Sequence, residues 1–449
     1  MSALARLAVA AGYRVSGTDR DDSELLARLR EAGVDARAGH LAEAIPADTA
    51  SVVISTAISP DNPELIAAVA RGIAVLHRSD LLQELMSLKR GLAVAGAHGK
   101  STTSALLALA LGESSACVGA ALPGGDGTGA RWGSGPWFVA EADESDRSLL
   151  RLSPEAAILL NVDHDHHATY ASLAEVEDVM RDFVAAIPQD GALVVGPDAR
   201  ALACAEAAVC EVITVGDGGD YNVSGSGAGA TIARSGGEPV AMPLSIPGLH
   251  NAQNAACAVA LAVWCGVDLG TAVDRIADFT GVGRRFEHVG AHRGIVVVDD
   301  YAHHPAEITA TITAAREIHG GRLVVVFQPH LPSRTQALAT ELGIALGGAD
   351  VVYVTDIYLS REAPIPGLDG GAVARHVPRP PGARYVPCLT DVAEVLAPQL
   401  RPGDLVLTLG AGDVTRLGQE LLAAVKNLPS DGDVHRSDPR RAVSDARRA

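Results

Sequence analysis

The chain has 449 residues, a length that suggests about three domains at roughly 150 residues each. It carries 36 Lys and Arg against 54 Asp and Glu, a net charge of −18, which argues against general binding to a nucleic-acid backbone because that needs clustered cations. The content of 48% hydrophobic and 20% charged residues excludes a mostly disordered chain, and 3% aromatic residues argue against base-stacking platforms.

The cysteines and the apolar segments indicate the cell compartment. The six cysteines form no C-x-x-C pair, which favours reduced thiols over a zinc site or a disulfide framework. No apolar run approaches the ~18 residues that a membrane helix needs, and the Ala-rich first residues lack a convincing cleavage site. We therefore predict a cytoplasmic protein without membrane insertion, and the sequence leaves the oligomeric state open.

The first predicted elements alternate between helix and strand. A helix over residues 1–11 precedes a strand at 13–17, a helix at 24–31 and a strand at 51–55. This alternation predicts a parallel sheet covered by helices, although such domains usually begin with a strand.

Two further alternations follow along the chain. The first predicts strands at 91–95, 137–140 and 156–160, helices at 101–111 and 251–263, and a hairpin or loop within 216–237. The second predicts strands at 294–298, 323–327, 351–355 and 405–409. The whole pattern predicts an α/β protein of three domains, at residues 1–88, 89–290 and 291–426, followed by a disordered tail at 427–449.

The segment GAHGKS, residues 96–101, lies between a short apolar strand and a helix. Its glycines would let backbone N–H groups surround phosphate oxygens, while Lys100 reaches the terminal phosphates and the Ser101 hydroxyl binds Mg²⁺. The loop has two residues between its glycines, where the full Walker pattern has four. An ordinary Gly-rich turn is the alternative interpretation, but the strand–loop–helix setting favours a nucleotide site.

Acidic and histidine-rich segments follow the next two predicted strands. EADESD, residues 141–146, places four carboxylates within six residues, and these repel one another unless a cation lies among them. NVDHDHH, residues 161–167, adds further carboxylates and imidazoles, and an oxygen-rich set of this kind suits Mg²⁺ or Mn²⁺ better than zinc. Solvated loops with helix-capping acids are the alternative.

Polar residues also mark the later helices and strand ends. HNAQN, residues 250–254, opens a helix and offers groups that could hold a base or ribose, although capping alone explains one Asn. GRRFE, residues 283–287, supplies two guanidinium groups for phosphate or carboxylate, or else a surface charge pair. DDYAHHP, FQPH and the nearby Arg334 follow successive strands, which predicts a second wall of a cleft.

Taken in order, these motifs resemble those of the Mur ligases, which build the peptide stem of the bacterial cell-wall precursor. The segments that carry the resemblance are GAHGKSTT, EADESD, NVDHDHHATY, PGLHNAQNA, GRRFE, DDYAHHP, FQPH and GAGD. EADESDRSLL and DDYAHHP are more similar to the members that join L-alanine to UDP-N-acetylmuramate than to those that recycle murein tripeptide. The resemblance implies a Rossmann-like UDP-binding domain, a central P-loop-like ATPase domain with a mostly parallel sheet, and a Rossmann-like C-terminal domain.

The resemblance also implies a ligase that uses ATP and Mg²⁺ (or Mn²⁺). ATP would phosphorylate the lactyl carboxylate of the UDP-sugar, and the L-alanine amine would then displace phosphate, with Lys100, His303 and Arg334 as catalytic residues. The residues implied to bind ATP are Gly96, His98, Gly99, Lys100, Ser101, Thr102, His250, Asn254, Arg285 and Asp300. Those implied to bind the other substrates are Asp19, His40, Ser55, Thr56, Asn161, Tyr301 and His303, and the implied metal ligands are Ser101, Glu141 and His166.

Two departures from the family pattern leave alternatives open. Leu331 stands where many members carry an arginine, so a phosphate or carboxylate contact is lost or supplied elsewhere. Family members begin with a strand and a Gly-rich turn ahead of the position of Met1, and we expect this piece to be missing here. The alternatives are another amino-acid or peptide ligase of the same family, or a nucleotide-binding protein without activity.

Overall fold

The computed structural model describes residues 1–122, 124, 127–166, 169–360, 362–380 and 382–428. The chain forms two compact units, one of Met1–Arg285 with Thr313–Ile318, the other of Phe286–Ile312 with the chain from His319 onward. The predicted division after residue 290 falls near the limit between the units and the one after residue 88 falls inside the first unit, so both domain boundaries stay predictions. Apart from residues 427 and 428, the predicted tail lies outside the described residues.

Helices and strands alternate along the first unit. Its helices are α1 Ser2–Ala10, α2 Glu24–Glu31, α3 Pro63–Ala70, α4 Arg78–Ser87, α5 Lys100–Leu111, α6 Leu173–Ala185, α7 Ala199–Ala205, α8 Leu249–Trp264 and α9 Leu269–Ile276. Its strands are β1 Ser16–Asp19, β2 Asp35–Ala38, β3 Ser51–Ile54, β4 Ala74–His77, β5 Arg90–Ala95, β6 Ser115–Cys117, β7 Ala130–Arg131, β8 Trp137–Glu141, β9 Ala156–Leu159, β10 Ala192–Val195, β11 Glu211–Thr214, β12 Tyr221–Ser224, β13 Thr231–Arg234 and β14 Val240–Ala241.

The first ninety residues form two separate parallel pairs of strands, β1 with β2 and β3 with β4. Between β1 and β2, helix α2 begins at Ser23, whose hydroxyl accepts the N–H of Leu26 at 3.2 Å. Leu26 and Leu29 pack with Val34 in a small core. The predicted strand at 13–17 is shifted, because the observed strand β1 runs from Ser16 to Asp19 and is mostly exposed.

A seven-stranded sheet in the order β11-β10-β9-β5-β8-β6-β7 forms the centre of the first unit. All its pairings are parallel except that of β6 with β7. In β5, Leu92 and Val94 pack into the core beneath α5 and α8, while Ala93 and Ala95 pack into the core on the other face. Since β5 lies between β9 and β8, the loops that leave the carboxyl ends of these three strands are neighbours.

A small antiparallel sheet of β12, β13 and β14 accounts for the Gly-rich segment at 216–237, which confirms the prediction of a hairpin there. The second unit contains a six-stranded sheet in the order β15-β16-β20-β17-β18-β19, with only β15 antiparallel. Its strands are β15 Glu287–His292, β16 Ile295–Asp300, β17 Leu323–Phe327, β18 Val351–Val354, β19 Ala383–Tyr385 and β20 Leu405–Leu409. The remaining helices are α10 Pro305–Ile318, α11 Pro332–Leu346, α12 Gly371–Ala374, α13 Leu389–Leu396 and α14 Leu417–Asn427.

None of the described helices combines the length and the apolar character that crossing a bilayer requires. All six cysteines are free thiols, and among them only Cys388 is exposed.

The burial of the thiols yields a labelling prediction. Burial raises the pKa of Cys257 and of Cys265 to about 12, so neither forms the reactive thiolate near neutral pH. We expect a thiol reagent at pH 7 to modify Cys388 rapidly in the native protein and Cys257 only on unfolding, as read by intact mass and peptide mapping. Rapid native modification of Cys257, which is fully buried, would contradict the packing of α8.

Candidate active site

The loop between β5 and α5 has the backbone conformation that a phosphate-binding turn needs. Gly96 and Gly99 have φ angles of 139° and 86°, which L side chains rarely adopt. A Cβ atom on Gly96 would also lie 3.0 Å from the Cβ of Leu160. Asn161 fixes the loop through two bonds, since its Oδ1 accepts the N–H of His98 at 2.8 Å and its Nδ2 donates to the carbonyl of His98 at 3.0 Å.

Lys100 begins α5, and its ammonium group is held inside this turn. Its Nζ donates to the carbonyl of Gly96 at 2.6 Å and lies 2.9 Å from the Oε2 atom of Glu144. Burial opposes the charge, but the neighbouring carboxylates, Glu144 foremost, outweigh burial and raise the pKa of Lys100. Lys100 is therefore a cation at neutral pH, placed among backbone groups at a helix N-terminus.

Glu141 and Ser101 lie against each other at the adjacent strand end. The Ser101 hydroxyl lies 3.0 and 3.1 Å from the two carboxylate oxygens of Glu141, and the N–H of Gly119 donates to Oε2 at 2.6 Å. Within the part of the chain that the structure describes, neutral donors alone hydrogen-bond this carboxylate. A hydroxyl and a carboxylate are oxygen donors of the kind that Mg²⁺ prefers.

His166, the third predicted metal ligand, lies against a different acid. Its Nε2 is 3.3 Å from the Oε1 atom of Glu144, and its backbone adopts a φ of 55°. Tyr170 joins the two loops, because its buried hydroxyl donates to the carbonyl of Glu144 at 2.6 Å. The carboxylate of Glu144 thus lies between the Lys100 ammonium and the His166 imidazole.

Asp143 is stabilised as a carboxylate by two cations, Lys100 and Arg78. Burial opposes its ionisation, but Lys100 and Arg78 outweigh burial and lower the pKa of this carboxyl group. The repulsion that four close carboxylates would create is therefore offset by protein cations as well as by any bound metal.

The start of α8 meets the phosphate-binding turn. Asn254 is 9% exposed, and a Cβ on Gly99 would lie 2.9 Å from its Oδ1 atom, so its amide lies directly against the loop. His250 lies beside Gly248, where a Cβ would be 2.8 Å from the imidazole Nδ1. Thr102 is buried in the first turn of α5. These residues were predicted to share one nucleotide site, and the structure brings Asn254 to the loop between β5 and α5.

The predicted UDP-sugar residues occupy the small sheets of the first unit. The hydroxyl of Thr18 lies 2.8 Å from the Nδ1 atom of His40 and donates to Glu64 at 2.6 Å. Asp19 and Ser55 each cap a local turn, accepting the N–H groups of residues 21 and 57. Thr56 follows Ser55 in that turn. Thr18 and Glu64 were not predicted, since nothing in their sequence surroundings marks them.

The second unit holds its own group of predicted residues. Asp300 ends β16 and fixes the turn after it, because its carboxylate accepts the N–H groups of Phe286 and Ala302 at 2.7 and 2.8 Å. Tyr301 and His303 follow, with ring centroids 5.2 Å apart. Arg285, another predicted nucleotide-binding residue, belongs to the first unit.

Arg334 lies in the first turn of α11, 4% exposed, with its Nη1 atom 3.2 Å from the Nδ1 atom of His330. His330 in turn lies 5.9 Å from the ring of His303 and stacks on Tyr358 at 5.8 Å. Leu331 has a φ of 68° and its N–H donates to the carbonyl of Tyr358 at 3.0 Å. Tyr358, which sequence analysis missed, therefore holds the loop that presents His330 and Arg334.

The strand–loop–helix turn, its buried lysine and the adjacent hydroxyl–carboxylate pair define an α/β protein with a turn of the P-loop type. Family profiles agree with this class. The Mur ligase family catalytic domain matches residues 1–90, the Mur ligase middle domain residues 137–262, and the Mur ligase glutamate ligase domain residues 284–412.

Full-length relatives identify the family. The UDP-N-acetylmuramate–L-alanine ligase of Kineococcus radiotolerans is 45% identical over 94% of this chain and 93% of its own. That of Streptomyces avermitilis is 43% identical over 94% of both chains. A solved structure, the UDP-N-acetylmuramate–alanine ligase of Thermotoga maritima, matches with a TM-score of 0.79 and 26% identity over 95% of this chain and 96% of that one. The chain belongs to the Mur ligase family.

Proposed function

We propose that this protein joins L-alanine to the lactyl carboxylate of UDP-N-acetylmuramate, with ATP converted to ADP and phosphate. The observation that carries the proposal is the match, over nearly the whole chain, to two relatives that bear the name of this activity, at 45% and 43% identity. The product would be the first peptide-bearing precursor of peptidoglycan. The phosphate-binding turn around Lys100 supports the use of a nucleoside triphosphate.

The proposed chemistry has two steps. A lactyl carboxylate oxygen forms a bond to the γ-phosphorus while the bond to the β-phosphate oxygen breaks, giving an acyl phosphate and ADP. The L-alanine amine then forms a bond to the acyl carbon, the carbon–oxygen bond to phosphate breaks, and the nitrogen loses a proton. Negative charge develops in both steps, so fixed cations stabilise their transition states.

The roles proposed for individual residues follow from their surroundings. Lys100 would contact the transferring phosphoryl group, and the neighbouring amide of Asn254 would bind the nucleotide along with His98, His250, Arg285 and Asp300. Ser101 and Glu141, with His166, would hold Mg²⁺, which supplies charge neutralisation at the phosphates when bound. In the second unit, Tyr301, His303 and Arg334 would serve the amino acid and the acyl phosphate, and in the first unit Asp19, His40, Ser55, Thr56 and Asn161 would serve the UDP-sugar.

The choice of acceptor and amino acid is directly measurable. We expect ADP release to require UDP-N-acetylmuramate and to show its highest kcat/KM with L-alanine among the amino acids tested. A higher kcat/KM with another amino acid or a peptide would identify a different ligase of this family. ADP release that ignores the UDP-sugar altogether would overturn the proposed acceptor.

A further inference from the structure

Arg78 connects the first turn of α4 to the acidic segment that follows β8. Its Nη2 atom lies 2.7 Å from the Oδ2 atom of Asp143, 3.0 Å from that of Asp146 and 3.2 Å from the hydroxyl of Ser148. The guanidinium is largely enclosed, with 23% of the side chain exposed against 15% for Asp146. Charge-assisted bonds at this depth are stronger and better ordered than surface ion pairs.

The four carboxylates of the segment have different partners. Asp143 and Asp146 share Arg78, and Glu144 pairs with Lys100. Glu141, as described above, keeps only neutral donors among the described residues. Among the described residues, one carboxylate of the four therefore faces the Ser101 hydroxyl without a hydrogen bond from a side-chain cation.

The backbone of the segment depends on the same residues. Asp143 accepts the N–H of Ser145 at 2.9 Å, and its carbonyl accepts the N–H of Leu149 at 3.0 Å. Glu144 follows Asp143 directly, so a shift of Asp143 would move the carboxylate that pairs with Lys100.

We propose that Arg78 is a positioning residue for the metal–nucleotide site, holding Asp143 and Asp146 away from it so that Glu141, which no side-chain cation hydrogen-bonds among the described residues, is the carboxylate offered to the cation. The proposal rests on the proposed function, because it assumes that Mg²⁺ and a nucleotide bind beside Ser101. Without Arg78, Asp143 and Asp146 would compete for the divalent cation or repel the phosphates.

The test compares Arg78→Met with a matched control on the same two segments. Arg151 also bonds across to α4, donating to Asp80 at 2.7 Å, and within the described part of the chain it forms no ion pair with any of the four acids. We expect Arg78→Met to raise the half-saturating Mg²⁺ concentration and the KM for ATP by roughly tenfold. Arg78→Lys should recover part of this loss, and Arg151→Met should leave both values unchanged.

A charge-cancelling variant separates positioning from general stabilisation. We expect Arg78→Gln combined with Asp146→Asn to restore Mg²⁺ dependence toward that of the wild type, because one excess negative charge is removed. A double variant no better than Arg78→Gln alone, or an Arg78→Met protein with wild-type Mg²⁺ dependence, would overturn the proposal. If Arg78→Met fails to fold, Arg78→Lys and the double variant still decide it.

Calorimetric binding of ADP at several Mg²⁺ concentrations provides a readout that does not need the amino acid. If the wild-type chain shows no ligase turnover but binds ADP in a Mg²⁺-dependent way, the proposed function fails while the role of Arg78 can still be measured. Wild-type protein that binds no nucleotide would end both proposals.

Discussion

Lys100→Ala is expected to reduce ADP release by about 10²–10³-fold or more, because in the proposed mechanism it removes the cation that contacts the transferring phosphoryl group. The side chain is 14% exposed and bonded to the carbonyl of Gly96 and the carboxylate of Glu144. The measurement is kcat for ADP release at saturating ATP, Mg²⁺ and both other substrates. Lys426→Ala, on the exposed face of α14, is the matched control and should retain wild-type kcat.

The same substitution leaves Glu144 buried without its ammonium partner, which typically costs about 3–5 kcal/mol of unfolding free energy. Lys100→Met combined with Glu144→Gln removes both charges and should recover much of that stability without recovering turnover. Thermal unfolding and kcat are measured on the wild type, on Lys100→Ala and on the double variant. Together they separate the loss of stability from the loss of turnover. A stable Lys100→Met, Glu144→Gln protein with wild-type kcat would refute the placement of the phosphates.

Glu141→Gln is expected to have the second largest effect, on the metal requirement. The substitution keeps the shape of the side chain and a hydrogen-bond acceptor for Gly119, but removes the charge that is proposed to attract Mg²⁺. We expect the half-saturating Mg²⁺ concentration to rise by roughly 10- to 100-fold, since even residues that only orient metal ligands cost this much.

Glu155→Gln is the matched control for Glu141→Gln, because Glu155 pairs with Arg90 at the opposite end of the neighbouring strands. It should leave the Mg²⁺ titration unchanged. Equal titrations for Glu141→Gln and the wild type would show that Glu141 is not a metal ligand and would favour His166 and Glu144 as the cation site.

Elements with strong local signals were predictable from sequence. The strands at 323–327 and 405–409 were placed at their observed limits because each is a short, mostly apolar run, buried on both faces of a parallel sheet. The helix at 24–31 was equally clear, because Leu26 and Leu29 share one face behind a Ser cap. Strand β1 has the sequence SGTD, which lacks any apolar alternation, so its limits could not be read from residue type.

The candidate site was predictable where chemistry and chain order coincide. Buried strands precede Lys100, Ser101 and Glu141, and these residue types are typical of phosphate and metal sites. The contacts among the site residues were harder to predict from sequence, because pairs such as Lys100 with Glu144 are brought together by strand order rather than by spacing along the chain. Arg78 could not have been predicted at all, since its partners lie 65 to 70 residues away and a single arginine before an apolar helix carries no distinguishing signal.

The position of β20 in the second sheet bears on how the protein is made. This strand is the last in the described chain, yet it lies between β16 and β17, which have no other link to each other in the sheet. During synthesis, the edges of β16 and β17 stay unpaired until residues 405–409 leave the ribosome, so a nascent chain exposes two apolar strand edges for roughly 80 residues of translation. Premature termination before β20 would therefore yield an aggregation-prone product rather than a shortened enzyme.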